Sequence, residues 1–558
     1  MKANDLLRRD FLRVSSLGVA GAAIPATAAA ASRPAANPVQ GSATPQVAPT
    51  QWDVRAYGAT GDGKTLDTAA INRAIDAAAS QGGGLVLFPP GVYLTFSIHL
   101  KSNVHLSIEQ GATILAAESP KPGDATGYNG GIYDPAEPNA PWEPYQDYGH
   151  NHWHNSLIWG EDIHDVSITG PGLIYGKGLS FGINGPARGD YPIYIAEQPG
   201  VANKAIALKN CRNVLLRDFS ILKGGHFALL ATGVDNLTID NLNIDTDRDG
   251  MDIDCCQNVR VSNCSVNSPW DDAIVPKSSY ALGYARPSRN ITIANCYVAG
   301  CYQLGSVLDG TFRKFPPGKH AYGTGRIKFG TESNGGFINV AVSNCVFEGS
   351  MGYALETVDG ALLEDFAIVN TVMRDLSCPP LFLRLGARLR GPKETTKVGT
   401  FKRVLISNLV CHNAPAWQGS IVSGIPGHSI EDLKLSDIYV EHAGGGTAEQ
   451  AKVEVPELID EYPDPGPFGV TPSSGFFLRH IRNLEMSHVE VAVATPDARP
   501  AFYLSDVDRA DFFAITAPRL AAQGGNGAFA LNNVRDLRIG WSRAAADAVL
   551  ATADNKTI

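Results

Sequence analysis

The segment Asp245-Thr246-Asp247-Arg248-Asp249-Gly250-Met251-Asp252-Ile253-Asp254 carries five carboxylates in ten residues, and Trp270-Asp271-Asp272 follows, with Asp271 22 residues after Asp249. Carboxylates crowded together repel, so at least one keeps its proton towards neutral pH while a neighbour stays ionised. A protonated acid beside an ionised base is the pair a glycosidase needs. The acid protonates the glycosidic oxygen and the base activates water on the other face of the sugar. Asp249, Asp271 and Asp272 are therefore the candidate catalytic residues. Two other readings of the same residues stand beside this one: a Ca²⁺ site, which also wants clustered oxygen ligands, and plain turn aspartates. Asp252 and Asp254 fall on one face of a strand whose other face sends Met251 and Ile253 to the core.

A repeat has to position these groups. Runs beginning at Asn213, Asn236, Asn258, Asn290 and Asn339 resemble one another, and weaker copies start at Phe366, Val404, Leu433 and Leu484. Each alternates apolar and polar residues, the period of a strand, and then reaches a turn residue, usually Asn or Asp. The first starts lie 23 and 22 residues apart and later ones 32 and 49, as expected of loops inserted into a regular scaffold. A unit this short cannot bury its own apolar face, so successive units must stack. Strands without intervening helices exclude βαβ folds, and the repeat is shorter than a propeller blade. The chain reads as all-β, a right-handed parallel β-helix with stacked Asn side chains at equivalent turns. One segment, Asp67 to Ser80, has helical spacing, with Ala69, Ala70, Ile71, Ala74, Ile75 and Ala78 on one side. It would cap the first coil, started by Thr65 or Asp67 and ended by Gly82-Gly83-Gly84. Of nine cysteines, Cys264, Cys296 and Cys345 recur at one place in the repeat, which suggests a buried column of small side chains rather than a disulfide framework.

Composition bounds the partners. The 558 residues include 58 Gly and 35 Pro, 44% are hydrophobic and 18% charged, which suits a turn-rich globular chain and excludes wholesale disorder. The net charge of −10 comes with no broad basic face, so duplex nucleic acid is excluded as an expected partner. No apolar run beyond the N-terminus is long enough for stable membrane insertion. The sequence carries no oligomer signal. Arg8 and Arg9, the mildly apolar stretch from Val14 to Ala30 and its Ala-rich end resemble a twin-arginine (Tat) signal peptide over residues 1–31. That implies export to a bacterial periplasm or beyond. Residues 32–50 read as a flexible leader, and 51–558 as one β-helix catalytic domain.

The stretches Asp53 to Asp67 and Gly82 to Tyr93 resemble the opening segment of the pectin-lyase-like superfamily, and the order of coils that follows resembles glycoside hydrolase family 28, the polygalacturonases. The resemblance runs from about Trp52 to about Asp508. The family's Asn-Thr-Asp-Gly motif is matched by Asp247-Arg248-Asp249-Gly250 and its Asp-Asp pair by Asp271-Asp272. By resemblance Asp271 is the general acid, Asp249 and Asp272 hold and activate water, and the anomeric configuration inverts. Inversion implies carboxylates about 6.5–9.5 Å apart.

Two family motifs are missing. Where Gly-His-Gly is expected the chain reads Gly323-Thr324-Gly325; His320 is the nearest upstream substitute. The family's Arg-Ile-Lys, which binds the substrate carboxylate, aligns with Ala354-Leu355-Glu356. A Glu in that place repels a uronate, so a neutral sugar, or a uronate held elsewhere, fits better. Glu356 could instead bond sugar hydroxyls. Arg326 and Lys328, on one strand face and about two coils beyond the Asp pair, could take over as cations, with Lys277, where the family also has Lys-Ser, and Arg384, Arg388 and Arg390. Solvated strand faces and salt bridges are the bland reading of all of them. Asp252, His154 and His226 complete the candidate substrate contacts. The aromatic and His-rich insert from Tyr128 to His154, the insert Leu304 to Thr324 and the Pro-rich stretch Glu461 to Phe468 read as groove walls, which favours exo-action. The His spacing in the first insert fits no closed structural zinc site.

Three functions follow from this reading. The first is a polygalacturonase-like hydrolase of pectic or related plant polysaccharides or oligosaccharides, with no cofactor. The second is a polysaccharide lyase using the acidic cluster for Ca²⁺, with Arg326 or Lys328 as base. The third is a non-catalytic carbohydrate-binding β-helix.

Overall fold

Val214, Leu237, Val259, Ile291, Val340, Phe366, Val404, Leu433 and Leu484 lie directly over one another in parallel register. These are the apolar positions at the starts of the sequence repeats, strong and weak alike, and all are buried in one continuous core. The computed structural model describes residues 50–146, 148–181, 193–316, 323–518 and 527–558. The expected signal peptide and leader, and His320, lie outside the described residues. The chain winds as a parallel β-helix, with one 29-stranded sheet and a second sheet of six short strands.

The turn between two faces of each coil is held by an asparagine column. Asn236, Asn258, Asn290 and Asn339 each donate a side-chain N–H to the Asn oxygen one coil back, at 2.9, 3.3, 2.9 and 3.1 Å. Their φ values lie at 55 to 59°. Asn tolerates that left-handed region, and its amide both donates and accepts, so one residue type repeats along the stack. Cys264, Cys296 and Cys345 precede the register-paired Ser265, Tyr297 and Val346, so the thiols stack as expected. All nine cysteines are unpaired by disulfides, and all but Cys301 are fully buried.

Helix α1 (Thr68–Ser80) covers the first coil with Ala70, Ile71, Ala74, Ile75 and Ala78; Ala69 faces outward instead. Asp67 precedes the helix without capping it: its carboxylate accepts from the N–H of Thr60 at 2.6 Å and Gly61 at 3.0 Å. At the other end, Phe502–Phe513 and Phe529–Gly540 continue the parallel stack, and Ala548–Ala553 closes it antiparallel. The region after Asp508 thus both finishes and caps the β-helix. No helix among the described residues is long and apolar enough to cross a membrane.

The six-stranded sheet carries the acidic segment. Its strands are β1 (Ile98–His99), β2 (Ile158–Glu161), β3 (Lys204–Lys209), β4 (Phe227–Thr232), β5 (Asp249–Asp254) and β6 (Ile274–Lys277). A bridge from Ile274 to Ile327 extends this face to β7 (Lys328–Phe329), β8 (Tyr353–Thr357), β9 (Leu381–Leu385) and β10 (Ser420–Ser423).

Candidate active site

Met251 and Ile253 of β5 point into the core, so Asp252 and Asp254 stand on its outer face, in register with Val275 and Lys277 of β6. Asp249 opens the same strand, and the N–H of Gly250 bonds the carbonyl of Asp272 at 2.9 Å. The coil offset here is 23 residues, so Asp249 meets the Asp272 end of the pair. One carboxylate oxygen from each of Asp249, Asp271 and Asp272 lies within 4.8 Å of the others.

The three carboxyls differ in surroundings. Asp272 is buried, which alone would favour its neutral form, but Arg326 Nε at 2.6 Å and Lys328 Nζ at 3.1 Å outweigh that and bring it down to about 2. Asp249 is buried without such a partner; burial, then the charges of Asp271 and Asp252, push its carboxyl well above the usual range. Asp271 is the accessible member, its side chain 25% exposed and held by Arg248 at 2.7 Å. The resemblance puts the donated proton on Asp271, whereas these surroundings favour it on Asp249.

Asp252 has no hydrogen bond on either oxygen, and its nearest cation, Lys277, is 3.6 Å away. Burial lifts it to about 8 against the pull of Lys277. Lys277 itself binds Glu332 at 3.1 Å, and Glu332 also takes Arg390 at 2.7 Å. Asp254 is occupied by the backbone N–H and hydroxyl of Ser279, at 2.8 and 2.5 Å. Arg326 and Lys328 come from the coil next to Asp272, not two coils on: the N–H of Ala273 bonds the carbonyl of Arg326 at 2.8 Å.

Three candidate contacts sit otherwise than expected. Glu356 is 0% exposed, lies against Gly330 of the preceding coil and stands 4.0 Å from Lys328. It is a buried carboxyl beside the cation pair, flanked by Gly330 of the preceding coil, rather than a group facing a sugar. Arg384 is also buried. Its guanidinium is spent on Ser423 Oγ at 2.9 Å and on the carbonyls of Gly424, Glu457 and Leu458 at 3.0, 2.7 and 2.6 Å. Burial lowers it to about 10. His154 bonds Glu161 at 2.8 Å and packs on Trp159 at 3.9 Å. Glu161 is three strands from Asp254 by register, roughly 14 Å.

His226 does reach the cluster. It stacks on Phe227 at 4.2 Å, and Phe227 is in register with Asp249. Burial, with the nearby charges of Arg248 and His150, holds its imidazole neutral. The insert with the aromatic residues also folds over this sheet. Trp142 Nε1 donates to the carbonyl of Ala281 at 3.1 Å, and Tyr145 packs edge-on to Tyr280 at 5.6 Å. It brings His150 to 3.9 Å from Asp252 and 3.7 Å from Glu332.

The acid trio and the group Glu137, His154 and Glu161 each have ligand atoms close enough to share an ion. In the first group Arg326 and Lys328 already neutralise Asp272. In the second Lys209 binds Glu161 at 2.8 Å and the N–H of Trp153 binds Glu137 at 2.8 Å. Neither donor set is well suited to a divalent cation.

Glu356 allows a direct check of its surroundings. Burial raises its carboxyl from 4.5 to about 7, so the folded protein keeps a proton that the unfolded chain releases. That contribution to stability is whole below pH 4.5 and is lost as pH rises through about 7. Glu356→Gln cannot titrate. Relative to wild type it is expected to gain on the order of 2–3 kcal/mol between pH 4.5 and 8, read by urea unfolding at each pH.

Residues 51–120 match a family model for rhamnogalacturonase A/epimerase, pectate lyase-like, and residues 204–370 match one for the right-handed β-helix region. A probable polygalacturonase of Vitis vinifera is 25% identical over 282 residues, 46% of this chain and 51% of that protein. The plasmin and fibronectin-binding protein A of Streptococcus pneumoniae is 39% identical over 104 residues, 18% of this chain and 14% of that one. The chain thus spans about half the length of the first relative and a small part of the second. The family 28 exopolygalacturonase of Yersinia enterocolitica superposes with a TM-score of 0.58 at 18% identity, covering 84% of this chain and 78% of that one. What these structures share is the fold.

Sequence reasoning missed Glu332, His150 and Arg248 as members of the cluster. Arg248 sits inside the acidic motif itself, at the place of the family's Thr. Glu332 lies four residues after Lys328, and a buried acid was the available answer to so many cations. His150 belongs to a loop, and no periodicity announces where a loop folds.

Proposed function

We propose that the chain is a glycoside hydrolase of pectic or related plant polysaccharides or oligosaccharides. One observation carries this: Asp249, whose carboxyl burial pushes well up, lies beside Asp272, whose carboxyl two cations pull down, with the more exposed Asp271 within 4.8 Å of both. Asp249 or the adjoining Asp271 supplies the proton to the leaving oxygen, and Asp272 receives one from water. The nearest oxygens of the trio, within 4.8 Å, are closer than the spacing usual for inversion. We nevertheless assign inversion, because Asp272 is buried and gripped by two cations. A carboxylate so held can polarise a water that reaches it but cannot advance onto an anomeric carbon. Exo-action on chain ends is part of the proposal and is supported by the insert packed over β6. Export by the twin-arginine route is supported by Arg8 and Arg9.

The test is a product screen. The mature protein is incubated with polygalacturonate, rhamnogalacturonan and mixed pectic oligosaccharides, with and without EDTA. New reducing ends without ultraviolet absorbance, unaffected by EDTA, are the expected result, with small products released from the first minutes. Proton NMR of the first-formed anomer reads inversion. An unsaturated, ultraviolet-absorbing product that vanishes with EDTA would make the acidic cluster a calcium site of a lyase instead.

A further inference from the structure

The insert between the strands Ile430–Gly444 and Phe476–Thr495 is held at both ends. On one side, Arg384 grips the carbonyls of Glu457 and Leu458 at 2.7 and 2.6 Å, and Arg479 grips those of Val455 and Pro456 at 2.8 and 2.9 Å. Arg384 and Arg479 are aligned two coils apart through Ser423, so two guanidiniums on one face take four consecutive carbonyls. On the other side, Gln418 Nε2 donates to the carbonyls of Pro465 and Gly469 at 2.6 and 2.7 Å.

Between these clamps the arm reaches the acidic cluster. The hydroxyl of Tyr462 and that of Thr331 are 3.1 Å apart, and the ring centroid lies 5.8 Å from Lys328 Nζ and 5.7 Å from Arg388 Cζ. Lys328 is one of the two cations that bind Asp272. Yet the residue Tyr462 is 49% exposed. A large ring fixed against a buried cation, clamped on both flanks and still open to solvent, is a platform without an intramolecular use for its free surface.

Each cation around it already faces an acid, although Arg388 keeps one buried N–H without a hydrogen-bond partner. Arg248 is on Asp271, Arg326 and Lys328 on Asp272, Lys277 and Arg390 on Glu332, and Arg388 on Asp359. A uronate here would compete with a buried acid for its partner, and breaking a buried pair leaves an uncompensated charge.

We infer that Tyr462 is the stacking surface of a sugar subsite beside Asp272, that the ring it takes is neutral, and that Arg384 and Arg479 are positioning residues acting through it. The apolar C–H face of a pyranose suits an aromatic face, and the tyrosine hydroxyl stays on its protein partner. This rests on the hydrolase reading and names its substrate class.

Binding is measured by calorimetry on the Asp249→Asn protein, which slows turnover and leaves every ion pair around the site in place. The probes are the galacturonate tetramer and its carboxyl-reduced counterpart. The reduced tetramer is expected to bind more tightly. Tyr462→Ala is expected to weaken it about 10-fold, and Tyr462→Phe less than about 3-fold. In the hydrolysing protein the alanine loss should fall on KM more than on kcat. Arg384→Ala should reproduce part of it and Arg384→Lys recover part, at a melting temperature checked for each. Tyr462 is exposed, so its variants test the subsite even if Arg384→Ala does not fold. Unchanged affinity in Tyr462→Ala, preference for galacturonate, or binding of neither probe would each overturn the inference. The expected binding pattern in a protein that releases no reducing ends would overturn the hydrolase reading alone.

Discussion

Asp272→Asn is expected to lower kcat by about 10³-fold, within the usual range for loss of a general base, while leaving KM within a few-fold. The amide has nearly the shape of the carboxylate, so the coil should keep its path. It cannot accept the proton of water, and it leaves Arg326 and Lys328 facing a neutral group in a buried place. Those two charges then press on Asp249 across the trio and favour its ionised form, so the variant loses base and acid function together. Asp249→Asn should cost a comparable factor by removing the raised carboxyl. The double variant should be little worse than either single one, since groups acting as a unit are not additive. Steady-state kinetics on whichever substrate the product screen names, with far-ultraviolet circular dichroism as a folding control, reads all three. A variant of either residue retaining more than a tenth of wild-type kcat would remove it from the mechanism.

The second large effect is on pH. Turnover needs Asp272 ionised and Asp249 protonated. Asp272, held at about 2, stays ionised through the mildly acidic range, so activity on the acid side persists until pH falls towards that value or the fold gives way. Asp249 is raised, so its working form is present below its folded pKa and is lost as pH rises through it. The profile of kcat/KM should therefore be a broad plateau with one descending alkaline limb. Asp252, raised to about 8, is charged only above that pH, and there it helps hold the limb up. Removing its negative charge in Asp252→Asn should shift the limb to lower pH and leave the acid side in place. A limb unmoved, or moved upward, would mean that the group titrating there is not Asp249.

Much of the scaffold was legible from the chain. Strand periodicity, the Asn column and the repeated Asn-Cys pairs all reflect a single local rule applied coil after coil, and the same residue types recur wherever the geometry does. The stacking of Asp249 over the Asp271-Asp272 turn followed from that rule and one coil length. The departures share a cause. Glu356 and Arg384 lie on strand faces, as expected, but a face in a β-helix is open only where no insert crosses it. The insert holding Val455 to Leu458 covers Arg384, and Glu356 is buried beside Gly330 of the neighbouring coil. Inserts follow no repeat, so alternation says which way a side chain points and not what lies on top of it. His154 fell on the expected insert, but three strands from the acids, because the insert spans several coils.

The buried thiols give the protein a built-in record of its own opening. Burial holds the sulfhydryls of Cys211, Cys255, Cys378 and Cys411 above their ordinary range. The reactive thiolate is therefore scarce, and an alkylating reagent has no path to it in the intact coil. The cysteines lie at points from Cys211 to Cys411, so they sample the middle of the stack. Alkylation followed by peptide mapping would report which rungs part first under denaturant, and whether the solenoid unzips from one end or comes apart as a whole.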